Sequence, residues 1–306
     1  MKKIILVPSN LGLNPLYAGH IPGTWRAPSV LMERGLKRSF AAYSTLVLPV
    51  PDYSSQAEAG TNILNGHKLR NLNLRLADEV HKAQKNGLKP IVIGGDCAIL
   101  PGVLAGSRRS GSVALIHIDG HSDFRHPGNW EPESGKKPGA AAGMDLALVT
   151  GRGEPLLTQW PGIKGPLIPD EAVVQLGERE GLDEDFEWPD IYDTEIDQIN
   201  IFDALKLEDN AVISRIYHRL DDFPDWRYWI HIDVDVLDKS EMPAVDCPGI
   251  PGLSSQRLIH IGRNLFVNSR CCGITVTIFD PDLDPTCKYA DLVVNIIDKI
   301  TGEWAN

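Results

Sequence analysis

No stretch of this 306-residue chain approaches the roughly 20 consecutive apolar residues that span a bilayer, which excludes a protein built on transmembrane helices. Basic residues are in deficit: 30 Lys and Arg stand against 41 Asp and Glu, for a net charge of −11. A surface of that sign repels phosphate, so neither nucleic acid nor an anionic membrane is the expected partner. Cysteine is scarce and odd in number, with Cys97, Cys247, Cys271, Cys272 and Cys287 forming no Cys-x-x-Cys pair. Only four apolar residues lie between Lys3 and Pro8, short of the roughly 7–15 of a secretory signal. These absences predict a cytoplasmic protein with reduced thiols. The remaining composition, 42% apolar and 23% charged, is globular and excludes disordered, collagen-like and coiled-coil classes.

What is present is alternation. Short apolar runs at 4–7, 44–50, 90–93, 113–118, 173–176, 228–236 and 272–279 read as strands covered on both faces. Between them, 71–87, 98–107, 199–207, 209–220, 255–269 and 290–301 read as helices, with Gly87 as a stop for the first. Strand and helix alternating in this way predict one α/β domain over residues 1–306 with a mainly parallel sheet. The Gly/Pro/Lys-rich stretch 128–139 and the acidic stretch 178–197 read as long loops within it.

Ligands of open parallel sheets bind at the carboxyl ends of strands. Three predicted strands end there in unusual groups: Gly94-Gly-Asp-Cys97, Ile116-His-Ile-Asp-Gly-His-Ser-Asp123 and Ile230-His-Ile-Asp-Val-Asp235. If the strands run on, alternation puts His117, Asp119 and His121 on one face, and His231, Asp233 and Asp235 on another. Carboxylates gathered at the end of an apolar strand repel and lose hydration unless a cation sits between them. Four carboxylates and an imidazole suit manganese and similar ions. Each Asp-x-Asp taken singly also fits a turn or a helix cap, and His117 and His231 fit core or supporting histidines.

With these residues in view, the chain resembles the arginase and agmatinase family of ureohydrolases. Gly94-Gly-Asp-Cys97 is similar to the family's Gly-Gly-Asp-His segment, and Asp119-Gly-His-Ser-Asp123 to its Asp-Ala-His-x-Asp segment. Asp233-Val-Asp-Val-Leu-Asp238, followed by Pro243, Pro248 and Gly252-Leu-Ser, is similar to its longest signature. The resemblance implies a three-layer α/β/α fold and a divalent metal centre, with Mn²⁺ expected and one or two ions held. Its ligands would be Cys97, Asp119, His121, Asp123, Asp233 and Asp235. A hydroxide carried by the metals would attack an amidine carbon, with Asp123 as proton donor. It also implies a trimer or hexamer.

Three departures set the expected function. Cys97 stands in place of the family's histidine, either as a softer ligand that admits Zn²⁺ or Ni²⁺ or as a small buried residue beside a single intact metal site. Ala142 stands where a proton-shuttling histidine belongs. Ile278 stands where arginases carry the glutamate that grips guanidinium. The reading is a metal-dependent hydrolase of linear C–N bonds in a small cationic guanidino or formimino compound other than arginine. The alternative is a catalytically degraded relative that binds metal or ligand, or serves in assembly. Asp246 is the candidate to pair with the cationic substrate, or else caps the turn before Pro248. His126 is the candidate to replace the shuttle, or else faces solvent from its loop.

Overall fold

A computed structural model describes residues 1–40, 43–129, 139–182 and 188–302. The apolar runs form β1 (Lys2–Val7), β2 (Ser44–Val47), β3 (Lys89–Gly94), β4 (Val113–Ile118), β5 (Val173–Leu176), β6 (Asp197–Ile199), β7 (Arg227–Asp233) and β8 (Cys271–Thr277). They make one eight-stranded sheet in the order β2-β1-β3-β8-β7-β4-β5-β6, parallel at each pairing. The chain builds outward from β1, then jumps from β3 to β4 across a gap that β8 and β7 fill later. The crevice at that reversal of strand order is where a parallel sheet offers a binding site.

Helices α1 (Gly66–Lys85), α2 (Leu100–Arg108) and α3 (Asp145–Val149) pack in sequence on one another. So do α4 (Asp209–Leu220), α5 (Ser255–Val267) and α6 (Lys288–Thr301). The sheet lies between these two groups, the three-layer α/β/α arrangement. In α1 the buried side chains Leu69, Leu72, Leu76, Val80 and Ala83 recur at helical spacing and form the sheet-facing stripe. The helix stops before Gly87, whose φ of +71° is a conformation that favours glycine. The strands β4 and β8 are buried at each position, which explains their mainly apolar sequence.

The structure differs from the sequence expectations at several boundaries. The short strand β6 pairs with β5 at the end of the acidic stretch, where only three residues give no readable period. The segments Ala27–Leu31, Asp145–Val149 and Pro155–Thr158 are helical without having been expected. The strand expected over 44–50 ends at Val47, before Pro49 and Pro51. Two others end earlier than expected, at Asp233 and Thr277, for reasons that belong to the site. Most of the expected loop 128–139, and part of 178–197, lies outside the described residues. Among the described residues no helix is long and apolar enough to cross a membrane.

Candidate metal centre

Four strand tips close in the same way. An aspartate just past the strand, or at its last residue, turns its carboxylate back to accept the amide N–H two residues on. Asp96 Oδ1 accepts from Ala98 (3.0 Å), Asp119 Oδ1 from His121 (2.7 Å), Asp233 Oδ1 from Asp235 (2.7 Å) and Asp280 Oδ1 from Asp282 (2.8 Å). These turns correct the expectation that extended strands carry the ligands. β4 stops at Ile118 and β7 at Asp233, so His121 and Asp235 reach the site by a turn rather than by alternation. Register does the rest. His117 is the cross-strand partner of His231, and Ile118 of Ile232, so Asp119 and Asp233 leave neighbouring tips in step.

The third contribution comes from the turn after β3. A Cβ on Gly95 would collide with the backbone of Ser9, so only glycine lets the two chain segments pass. Cys97 follows, fully buried, its Sγ donating to Asp233 Oδ2 at 3.0 Å and lying 2.9 Å from Thr277 Oγ1. His121 Nδ1 donates to Asp235 Oδ2 at 2.8 Å. The ligand atoms of Asp119, His121 and Asp235 lie within 4.8 Å of one another, as do those of Cys97, Asp123 and Asp145. Asp123 and Ile278 hold φ of +46° and +77°, and both line the same cavity. For the β-branched Ile278 this is a strained conformation, and it ends the strand that continuous apolar sequence had extended to Phe279.

That cavity, of about 310 Å³, opens over the strand tips and is lined by Cys97, His121, Asp123, Asp233, Asp235 and Asp246, with Ala142 and Ile278 at its wall. Its electrostatics are dominated by buried negative charge. Burial, then Asp235, lifts the Asp119 carboxyl to about 8. Burial and the surrounding aspartates push Asp123 and Asp233 well above the usual carboxylate range. Burial alone would lower the His121 pKa, but Asp235 beside it raises it to about 10. Asp235 is the exception: His121 outweighs its burial and holds it below the ordinary value. Burial raises the Cys97 thiol well above its usual range, with Asp233 next in importance, so it keeps its proton as a donor. Asp246 is lifted to about 6, by burial first and Asp235 second.

His126 takes a different place. Gly128 N–H donates to its Nδ1 at 3.0 Å, so Nε2 carries the proton and donates to Asp190 Oδ2 at 2.7 Å. Both ring nitrogens are engaged, one by Gly128 in its own loop and one by Asp190 on a distant segment, and the cavity lining does not include it. Sequence reading missed Asp145 and four further contributors. Glu180, Trp188 and Arg125 line the cavity, with the Arg125 guanidinium 4.7 Å over the Trp188 ring. Arg179 donates Nη2 to the Asp235 carbonyl at 2.6 Å and packs where a Cβ on Gly120 would collide. Of these four, Arg179 carried a readable signal, a lone cation inside the acidic stretch.

Comparison with known proteins decides the family. The family model described as Arginase family matches residues 17–302. The chain belongs to the arginase family. It is 29% identical to an arginase of Bacillus caldovelox over 305 residues, 98% of this chain and 97% of that one. The native structure of the B. caldovelox arginase at pH 5.6 superposes with a TM-score of 0.84 at 27% identity, covering 100% of both chains. The formimidoylglutamase of Bacillus subtilis shares the fold, with a TM-score of 0.71 at 19% identity over 98% of this chain and 86% of that one. Arginase family membership makes the protein a hydrolase of carbon–nitrogen bonds in linear amidines, in a family that depends on metal.

The residues fit a divalent cation. Asp119 Oδ2 is buried with no hydrogen-bond partner, and of the Asp119, Asp123, Asp233 and Asp235 carboxylates the last is paired with the His121 imidazole at 2.8 Å. Such crowding is tolerable only when protons or cations neutralise it. A pH dependence follows with a definite sign. Between about pH 4 and 8 the folded chain holds a proton on Asp119 that the unfolded chain has released, so metal-stripped protein loses stability as pH rises. His121 adds a change of the same sign between its ordinary 6.5 and about 10. Cations bind the deprotonated forms, so their stabilisation grows with pH. Thermal melts in chelator should therefore fall from pH 6 to 9, while the increment from saturating Mn²⁺ rises. A stripped protein whose Tm climbs over that range contradicts the assignment.

Proposed function

We propose that the protein hydrolyses a C–N bond in a small cationic guanidino or formimino compound other than arginine. In this reading Asp119, His121, Asp123, Asp233 and Asp235, with Cys97, hold the divalent ions, Mn²⁺ first. Bound there, a divalent ion acts as a Lewis acid and makes water a nucleophile at neutral pH. The chain's own residues do the rest. Asp246, in the lining of the same cavity, pairs its carboxylate with the substrate's cationic end. Asp123, whose environment favours its protonated form, gives a proton to the departing amine. Ile278 and Ala142 offer no charge and no proton to the substrate.

The observation that carries the substrate reading is the apolar Ile278 in the cavity wall with Asp246 in the same lining. A guanidinium taken from water into contact with Ile278 alone would lose its hydration without replacement. The test is a panel of guanidino and formimino compounds, arginine included, assayed for urea, formamide and ammonia with added Mn²⁺, Zn²⁺ or Ni²⁺. One compound other than arginine should exceed arginine in kcat/KM by at least about a hundredfold. Arginine as the best substrate overturns the substrate reading. No turnover on any member favours the degraded relative over the enzyme.

A further inference from the structure

Beneath the floor of the cavity, and outside its lining, lies a second group of buried polar side chains. His117 and His231 are partners across β4 and β7, their rings stacked with centroids 5.2 Å apart. Asp145, the first residue of α3, reaches between them. All three are fully buried. His117 Nε2 donates to Asp145 Oδ1 at 3.0 Å. His231 Nε2 lies 3.4 Å from Asp145 Oδ2 but without the alignment of a hydrogen bond.

The hydrogen bonding of this group is conspicuously incomplete. His117 Nδ1, both ring nitrogens of His231, Asp145 Oδ2 and the neighbouring Asp119 Oδ2 are buried with no partner. Leaving a buried polar group unsatisfied costs about 1–3 kcal/mol, and core positions with no other task are filled by apolar side chains instead. His117 and His231 stand at buried positions of β4 and β7, strands whose other buried residues are mostly apolar. One ligand atom from each of His117, Asp145 and His231 lies within 4.8 Å of the others. Donors in a tetrahedral shell with bonds of about 2.0–2.2 Å stand about 3.4 Å apart. The two separations here, 3.0 and 3.4 Å, lie below and at that value.

We infer that His117, Asp145 and His231 form a second, deeper metal site behind the carboxylate centre in the cavity, with Asp145 also within reach of Cys97 and Asp123. Two imidazoles and one carboxylate select a borderline ion, Zn²⁺ before Mn²⁺, whereas the oxygen-rich centre above suits the harder ion. Asp119 Oδ2, 3.7 Å from His117 Nε2, is placed to complete the deep shell and to tie it to the cavity centre. The deep ion would be sealed from solvent and substrate, and its task is to fix the Asp119 carboxylate and the β4–β7 tips in position.

Crystals of the full chain loaded with Zn²⁺ and Mn²⁺ test this directly through anomalous difference maps taken across each absorption edge. The inference expects zinc density about 2 Å from His117 Nε2, His231 Nε2 and an Asp145 oxygen, separate from any ion at the strand tips. Ions at the tips with nothing between the two histidines overturn it, and leave the cavity centre standing. In solution, Asp145→Asn should lower bound zinc by one ion per chain, while Asp235→Asn should spare that ion. Should Asp145→Asn fold and keep the full zinc count, the inference also fails; should it not fold, the wild-type maps decide.

Discussion

Replacing Asp233 with Asn should cost the protein on the order of a thousandfold in kcat/KM, together with the ions in its cavity, while leaving the fold intact. The carboxylate has two tasks. Its Oδ1 accepts the Asp235 N–H at 2.7 Å and so closes the turn that ends β7, and an asparagine carbonyl can do the same. Its Oδ2 meets the Cys97 thiol at 3.0 Å and carries the negative charge that an ion would neutralise. Asparagine keeps the first task and loses the second. Because burial and Asp235 push the Asp233 carboxyl well above its ordinary range, the charge is a liability in metal-stripped protein. The variant should therefore melt a few degrees higher than wild type in chelator. Lower activity with higher stability is the signature of a site residue, and a variant that simply unfolds lacks it.

Asp246→Asn should raise KM about tenfold to a hundredfold on the preferred substrate, the range expected for losing one hydrogen bond to a charged group. Its kcat and its ion content should stay near wild type, because Asp246 is not among the groups whose ligand atoms cluster. The carboxylate lies in the cavity lining, lifted to about 6 by burial and by Asp235, so it is ionised at neutral pH. A cationic ligand gains most from a charge held in such low-dielectric surroundings. Steady-state kinetics with metal analysis on the same preparation separates this role from ligation. Unchanged KM, or loss of ions, removes Asp246 from substrate binding.

Much of this centre is legible in the sequence because the groups that form it sit in short motifs at strand ends. Asp119, His121 and Asp123 lie within five residues, and Asp233 and Asp235 within three, each set directly behind an apolar run. The physics of buried like charges singles them out before any fold is known. How they meet is less legible. Alternation along extended strands suggests itself from period alone, yet the aspartates cap their own turns, a choice made by local hydrogen bonds that compete with the ladder. His126 shows the converse error. Its position near His121 suggested a site role, but Asp190, far away in sequence, engages it.

Asp145 was invisible for a related reason. It stands alone in the apolar stretch 140–149, and only the packing of α3 against the sheet brings it to His117 and His231. An isolated carboxylate in an apolar run was the one available signal. The strand β6 was missed because three residues cannot display a period, and its place depends on pairing with β5. Chain-local patterns thus single out the carboxylates and imidazole that gather at the strand tips and most of the sheet, while contacts between distant segments determine the groups around them.

The most direct test of the cation-centred account is a calorimetric titration of metal-stripped wild-type protein and Asp233→Asn with Mn²⁺ in buffers of different ionisation heat. The account predicts that wild type binds at least one ion more than the variant. It also predicts that wild type releases protons as it does so, since Asp119 and His121 must shed theirs. Equal uptake by the two proteins, with no proton released, contradicts it.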